Sequence, residues 1–174
     1  LLFLQCDNNS SQKKYDLVVY GGTSGGIVAA IQASRMGKSV VIIEPGSRIG
    51  GLTTGGLGQT DIGNKAAIGG ISREFYEGIK QYYANPENWK WQKKQEYIDG
   101  GQTRTSEGES AMWTFEPSAA LSVYQDLITE HHIPVMYNEK LDRSDGVQKE
   151  GQRILSLTTL SGNTYMGKMF IDAT

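Results

Sequence analysis

A glycine-rich turn near the beginning of the chain is the segment best suited to bind a phosphorylated ligand. It directly follows the apolar run 15–20. An early glycine permits the positive φ of a tight turn, and the first N–H groups of a following helix attract phosphate. The turn therefore predicts a diphosphate site, formed by Gly21, Gly22, Thr23, Ser24, Gly25 and Gly26.

An acidic residue about twenty positions later provides the second part of the pattern. Residues 39–43 form another apolar run, and Glu44 follows it directly. A carboxylate at this position accepts hydrogen bonds from the two ribose hydroxyls and repels a 2′-phosphate. The turn and Glu44 together predict a dinucleotide site.

These residues require a strand, a helix and a second strand in parallel. The segment 27–36 is small and apolar, and Gly37 suits the left-handed position just past a helix end. Gly26 allows the helix to lie close to the first strand. We therefore expect an α/β fold, with a Rossmann-like βαβ unit that binds FAD or NAD(P) on a parallel sheet.

The turn also permits a different chemistry. Thr23 stands where the dinucleotide motif has its middle glycine, although its hydroxyl could donate to a phosphate oxygen. The same residues fit the Gly-x-Ser-x-Gly elbow of a serine esterase with an α/β-hydrolase fold, with Ser24 as the nucleophile. The partners in chain order would be Asp61 or Asp99 and then His131 or His132. Against this reading, only one strand precedes the turn, and Glu44 has no role.

A second glycine cluster, residues 44–56, favours a flavin dinucleotide over a nicotinamide. A chain that wraps a larger cofactor needs glycines and hydroxyls where its backbone passes phosphates and a ribityl chain. Arg48 could add a charge-assisted contact to a phosphate. The alternative is an ordinary surface loop.

With these two glycine-rich segments, the sequence resembles the FAD-dependent oxidoreductases with a glutathione-reductase-like flavin fold. It resembles in particular a group from Bacteroides-type bacteria whose members are often labelled xanthan lyase, although no residue here argues for polysaccharide β-elimination. The likeness extends over residues 15–174 and is carried by residues 19–26, 50–61, 68–76, 113–117 and 169–174.

The resemblance implies a non-covalent FAD site. Residues 21–26 would hold the pyrophosphate and Glu44 the adenosine ribose. The backbone near Leu141 would border the adenine, and Ala173 with Thr174 would return to the pyrophosphate. The phosphates and ribityl chain would be lined by Arg48, Gly50, Gly51, Leu52, Thr53 and Thr54.

The implied activity is hydride transfer between the flavin and an unidentified organic substrate. No acid or base can be named from the sequence, so the catalytic residues are unknown. A nucleotide-binding module without redox turnover is a further alternative.

Composition limits the remaining classes of function. The 174 residues suffice for about one domain, so residues 15–174 are expected to be the N-terminal part of an FAD-binding domain, incomplete at the C-terminus. The formal net charge of −2 gives no reason to expect a nucleic-acid partner. The single cysteine cannot supply the four thiolates of an iron–sulfur cluster, and no metal site is predicted.

The first fourteen residues are predicted to lie outside the fold. Residues 1–5 look like the tail of a signal peptide, Cys6 like a lipid acceptor and the polar residues after it like a tether. This predicts an extracytoplasmic, periplasmic or lipid-anchored protein. A frayed terminus with an incidental cysteine, and a cytoplasmic location, is the alternative.

The rest of the chain is predicted in coarser terms. We expect a helix over 67–83, a polar insertion or lid over 85–112, and a strand over 134–137. A helix beginning at Pro117 would bury Leu121, Tyr124, Leu127 and Ile128. A β-hairpin is expected from strands 153–160 and 164–171.

Overall fold

The computed structural model describes residues 13–59 and 62–174. The predicted signal-peptide remnant, Cys6 and Asp61 lie outside these residues. The strands are β1 Lys14–Tyr20, β2 Val40–Ile43, β3 Val135–Met136, β4 Val147–Glu150, β5 Arg153–Thr158 and β6 Thr164–Asp172. The helices are α1 Ser24–Arg35, α2 Gly51–Gly55, α3 Gly70–Ala84 and α4 Pro117–Glu130.

The strands form one mixed sheet in the order β3-β2-β1-β6-β5-β4. The first four of these are parallel, whereas β5 and β4 continue as an antiparallel meander. This confirms the predicted α/β class, with its βαβ unit and hairpin. Because β1 lies between β2 and β6, the strand order changes direction beside β1, and open α/β sheets bind ligands at the carboxyl ends of the strands at such a point.

Both faces of the central strands are buried. Leu17 and Val19 of β1 face a core formed with α1, α3 and α4. Val18 faces the opposite side, where Leu157 and Tyr165 of the meander pack. Burial on both faces explains why β1 and β2 read as continuous apolar runs rather than alternating ones.

Several boundaries differ from the sequence-based expectation. The third helix begins at Gly70, because residues Lys65–Ala67 form a separate 3-10 turn. The helix that begins at Pro117 does bury Tyr124 and Ile128, but Leu121 and Leu127 are only half-buried. Its closest packing uses small residues, since Ala119 and Ala120 are fully buried.

The polar segment 85–112 contains only short 3-10 turns, at Pro86–Asn88, Lys94–Glu96 and Gly101–Thr103. The segment is joined to α3 by an ion pair, in which Nη1 of Arg73 lies 3.5 Å from Oε1 of Glu109. The indole N–H of Trp89 also donates to the carbonyl of Tyr83 at 2.8 Å. Its role as a lid over a substrate stays a prediction.

Candidate functional site

The glycine turn leaves β1 in a conformation that excludes larger residues. Gly21 has φ +102°, and its N–H donates to the carbonyl of Ile43 at 2.8 Å. A Cβ at Gly26 would lie 2.1 Å from the carbonyl oxygen of Gly21, so this glycine is what allows α1 to lie against the turn. A Cβ at Gly22 would likewise meet Ile49 at 2.8 Å.

Thr23 caps α1 instead of reaching outward. Its hydroxyl donates to the carbonyl of Ala173 at 2.7 Å and accepts from the N–H of Gly26 at 3.4 Å. The hydroxyl proton is therefore already used, which corrects the expectation that Thr23 could donate it to a phosphate.

The beginning of α1 presents unpaired backbone donors. The N–H groups of Thr23, Ser24 and Gly25 have no hydrogen-bond partner among residues 13–59 and 62–174. The first intrahelical bond runs from Ile27 to the carbonyl of Thr23. Three unpaired donors at the positive end of a helix dipole form a suitable cradle for an anion.

Glu44 turns towards the glycine loop. One carboxylate oxygen accepts from the N–H of Gly22 at 2.8 Å, and the other accepts from Gly46 at 2.7 Å. A carboxylate has about four acceptor positions, so each oxygen can accept one further hydrogen bond. Glu44 is half-buried, and its remaining acceptor capacity can serve the hydroxyls of a ribose.

The second glycine cluster is bonded directly to the first. The N–H of Gly50 donates to the carbonyl of Gly22 at 2.6 Å. Ser24 donates to the carbonyl of Gly50 at 3.1 Å and its hydroxyl lies 2.8 Å from that of Thr53.

Gly50 and Gly51 both have positive φ, which lets the chain turn sharply into the short helix α2. The buried Thr54 hydroxyl closes this turn on the carbonyl of Ile49.

The end of β6 reaches the same place. Ala173 donates its N–H to the carbonyl of Tyr20 at 2.8 Å. A Cβ at Gly21 would lie 2.7 Å from the carbonyl carbon of Ala173 and 2.8 Å from the nitrogen of Thr174. The structure thus brings residues 21–26, Glu44, Gly50, Thr53, Ala173 and Thr174 together.

Three predicted site residues lie at the margin of this cluster. Arg48 is exposed and donates to the carbonyl of Pro117 at 3.3 Å. Leu52 is 77% exposed. The N–H of Leu141 donates to the hydroxyl of Tyr20 at 2.9 Å.

Two tyrosines near the cluster were not predicted as site residues. Burial, followed by the charge of Glu44, raises the pKa of Tyr137. Tyr124 lines a cavity of about 260 Å³ together with Ser24, Gly25 and Thr53. The sequence predicts Tyr124 only as a buried residue of the helix that begins at Pro117. It predicts Tyr137 only as part of the strand over 134–137.

The residues required for a serine hydrolase do not meet. Ser24 is the first residue of α1, and Arg35 is the last. His131 lies at the Arg35 end, where its Nε2 accepts a hydrogen bond from Nε of Arg35 at 3.2 Å. Eleven helical steps separate Ser24 from Arg35, or about 16 Å. Asp99 is bonded to the N–H of Thr105 instead.

Neither a metal site nor a membrane-spanning helix is found among the described residues. No group of three or more His, Cys, Asp or Glu side chains within residues 13–59 and 62–174 is placed to hold a metal ion. No helix in the same ranges has both the length and the apolar character needed to cross a bilayer.

Comparison with known proteins gives a match over most of the chain. The sequence model of a family described as "FAD dependent oxidoreductase" matches residues 16–174. Among curated proteins, the soluble pyridine nucleotide transhydrogenase of Mycobacterium bovis (strain BCG / Pasteur 1173P2) is 48% identical over 40 residues. That stretch is 23% of this chain and 8% of the relative.

Solved structures align with a larger fraction of this chain than the curated relative does. The flavin-containing monooxygenase from Stenotrophomonas maltophilia aligns with a TM-score of 0.54 at 18% identity, over 93% of this chain and 38% of that one. Thioredoxin reductase from Streptococcus pyogenes MGAS5005 aligns with a TM-score of 0.51 at 20% identity, over 94% and 36%. At these identities the likeness concerns the fold alone, and the chain spans well under half of each protein.

Proposed function

The chain belongs to the FAD-dependent oxidoreductase family, and we propose that it forms the dinucleotide-binding part of an enzyme that transfers hydride between FAD and an organic substrate. The observation that carries this proposal is the set of unpaired N–H groups at the start of α1, beside a carboxylate with spare acceptor capacity. When bound, the flavin supplies the hydride chemistry, while the protein supplies binding, orientation and electrostatics.

The described residues fit such a cofactor in three respects. The amides of Thr23, Ser24 and Gly25 would receive the diphosphate, because nothing else in the described chain pairs with them. Glu44 would hold the adenosine ribose. Gly21, Gly22 and Gly26 keep this cradle free of side chains, since a Cβ at any of them would meet atoms within 3 Å.

The second cluster would border the remainder of the cofactor. Gly50 is bonded to Gly22, and Thr53 is paired with Ser24. These contacts hold the chain from Gly50 to Thr54 beside the glycine turn that is proposed to bind the diphosphate. The exposed guanidinium of Arg48 donates one N–H to Pro117 and keeps other donors for a phosphate. Leu141 is proposed to border the adenine, on the resemblance alone.

A spectrum of the purified full-length protein tests the cofactor. Flavin absorption that dithionite bleaches, with FAD rather than FMN released on denaturation, supports the proposal. A protein that stays colourless after incubation with FAD would overturn it.

A charge placed at Gly25 tests the site itself. A Cβ there has its nearest neighbour 3.9 Å away, and a carboxylate in the first turn of a helix is favoured by the dipole. We therefore expect Gly25→Asp to fold normally but to lose most of its FAD, because the new charge faces the diphosphate. The matched control is Gly25→Asn, which has the same shape without the charge and should retain far more FAD. Equal FAD content in the two variants would contradict the placement of the diphosphate.

A further inference from the structure

A second cavity lies outside the glycine turn and is lined mostly by residues between 83 and 116. It has a volume of about 360 Å³, which lies within the usual range of small-molecule sites. The lining includes five aromatic side chains: Tyr83, Trp89, Trp91, Tyr97 and Phe115. We propose that this aromatic cavity binds a small organic cation of the substituted-ammonium class.

The arrangement of the rings supports a cation rather than a flat aromatic ligand. The Tyr83 and Trp89 rings are tilted by 52° with centroids 4.9 Å apart, and Trp89 and Tyr97 are tilted by 58° at 5.6 Å. Neither pair is parallel, so neither offers two parallel faces between which a planar molecule could stack. The negative faces of Trp and Tyr attract a cation, and several such faces around one cation are the usual basis of quaternary-ammonium recognition.

The rings are held in place by their polar tips. The indole N–H of Trp89 donates to the carbonyl of Tyr83 at 2.8 Å, and the hydroxyl of Tyr97 pairs with that of Thr114. The hydroxyl of Tyr83 donates to the carboxylate of Glu116 at 2.9 Å and accepts from the N–H of Glu116 at 3.0 Å. These hydrogen bonds fix the orientations of the three rings in the wall of the cavity.

The charge of the lining has the complementary sign. Among the lining residues that the structure describes, only Glu116 carries a formal charge. Its carboxylate has acceptor positions beyond the one used by Tyr83. Gln59, Gln92 and Thr114 complete the polar part of the wall.

An adjacent cavity of about 260 Å³ has a different character. It shares Tyr83, Trp89, Tyr97 and Met112 with the aromatic cavity but adds Lys80, Lys94 and Asp99. Two ammonium groups against one carboxylate disfavour a second cation there. The proposed ligand is therefore a compact cation that occupies the aromatic cavity alone.

Calorimetric titration of the full-length protein with choline tests the class of ligand. Its comparison compound is 3,3-dimethylbutan-1-ol, which has the same shape but no charge. We expect choline to bind roughly tenfold more tightly or better, as expected for desolvated cation–π contacts. Equal affinities would overturn the proposal, as would binding of a neutral cyclic polyol such as inositol in preference to choline. The titration can be performed with or without flavin, so its outcome does not depend on the proposed function.

Two variants locate the binding. Glu116→Gln should reduce the preference for choline over the neutral compound several-fold, and Trp91→Leu should weaken choline binding. Trp91 is 85% exposed, so its replacement leaves the core intact. The control is Glu87→Gln, an exposed acid outside the lining, which should bind choline normally. Unchanged choline affinity in both test variants would place the ligand elsewhere and overturn the assignment.

Discussion

At the level of single residues, Gly22 and Glu44 depend on each other. Gly22 has no room for a side chain because Ile49 and the Glu44 carboxylate occupy the space, and its N–H holds that carboxylate in position. The sequence predicts that both residues belong to one site, since their spacing follows a known pattern. It does not predict the hydrogen bond between them. Nor does it predict that the Thr23 hydroxyl donates to the carbonyl of Ala173, which is 150 residues away in the chain.

Replacing Glu44 by glutamine should remove the contribution of a ribose hydroxyl to the affinity for a nucleotide. An amide has a single acceptor oxygen, for which the N–H groups of Gly22 and Gly46 already compete. We expect the wild-type protein to bind ADP roughly tenfold more tightly than 2′-deoxy-ADP, the value of one hydrogen bond to a charged group. This preference should largely vanish in Glu44→Gln, as measured by calorimetry. Glu87→Gln serves as control, and an undiminished preference in Glu44→Gln would exclude the ribose from this carboxylate.

At the level of elements, prediction succeeded where the local pattern was strong. The β1-α1-β2 unit follows from an apolar run, a glycine turn and a glycine cap. β4 was missed because Val147, Gln148, Lys149 and Glu150 show no apolar alternation, and only pairing with β5 makes them a strand. The short helix α2 is not predicted from the sequence, because its glycines have low helix propensity and only tertiary contacts override that preference.

The turn between β5 and β6 depends on one buried acid. Glu139 is 8% exposed and accepts hydrogen bonds from Ser161 at 2.6 Å, from Asn163 at 2.8 Å and from Thr159. Burial works to raise the pKa of Glu139, but these three donors outweigh it and hold the pKa below its usual value. The ionised carboxylate therefore stabilises the folded state.

Removal of this acid should destabilise the protein in a pH-dependent manner. We expect Glu139→Ala to lower the free energy of unfolding by about 2–3 kcal/mol at pH 7, because donors lose a charged acceptor. Since the folded-state pKa is lowered, the contribution is complete above the unfolded value of about 4.3 and is lost as pH falls through the folded pKa. Urea denaturation at pH 7 and at lower pH should show the difference between wild type and variant shrinking with acid. Glu150→Ala, at an exposed position of β4, is the control; a pH-independent difference would contradict the account.

At the level of the whole molecule, the strand order could not be read from the sequence. β6 lies beside β1 although about 150 residues separate Val18 from its partner Phe170. No local pattern encodes such a pairing, and the resemblance to a known family was the only indication that the end of the chain returns to the glycine turn. The aromatic cavity was equally hidden, because Tyr83 belongs to a helical stripe and Trp89 to an irregular segment.

Hydrogen exchange should follow this architecture. β1 is bonded on both sides, to β2 and β6, and Val18 and Val19 are fully buried. Peptides covering β1 and β2 should therefore exchange slowest, and those covering residues 90–110, which lack regular structure apart from 3-10 turns, should exchange first. Mass spectrometry over a time course can measure this order. Comparable protection in the two regions would show that the segment 85–112 is a more integral part of the fold than its hydrogen bonds indicate.

A crystal structure of the full-length protein with FAD bound measures the central contact directly. We predict diphosphate oxygens within about 3.2 Å of the backbone nitrogens of Ser24 and Gly25, with the adenosine ribose hydroxyls on Glu44. A diphosphate bound elsewhere, with these amides facing only water and Glu44 bonded only to Gly22 and Gly46, would contradict the account.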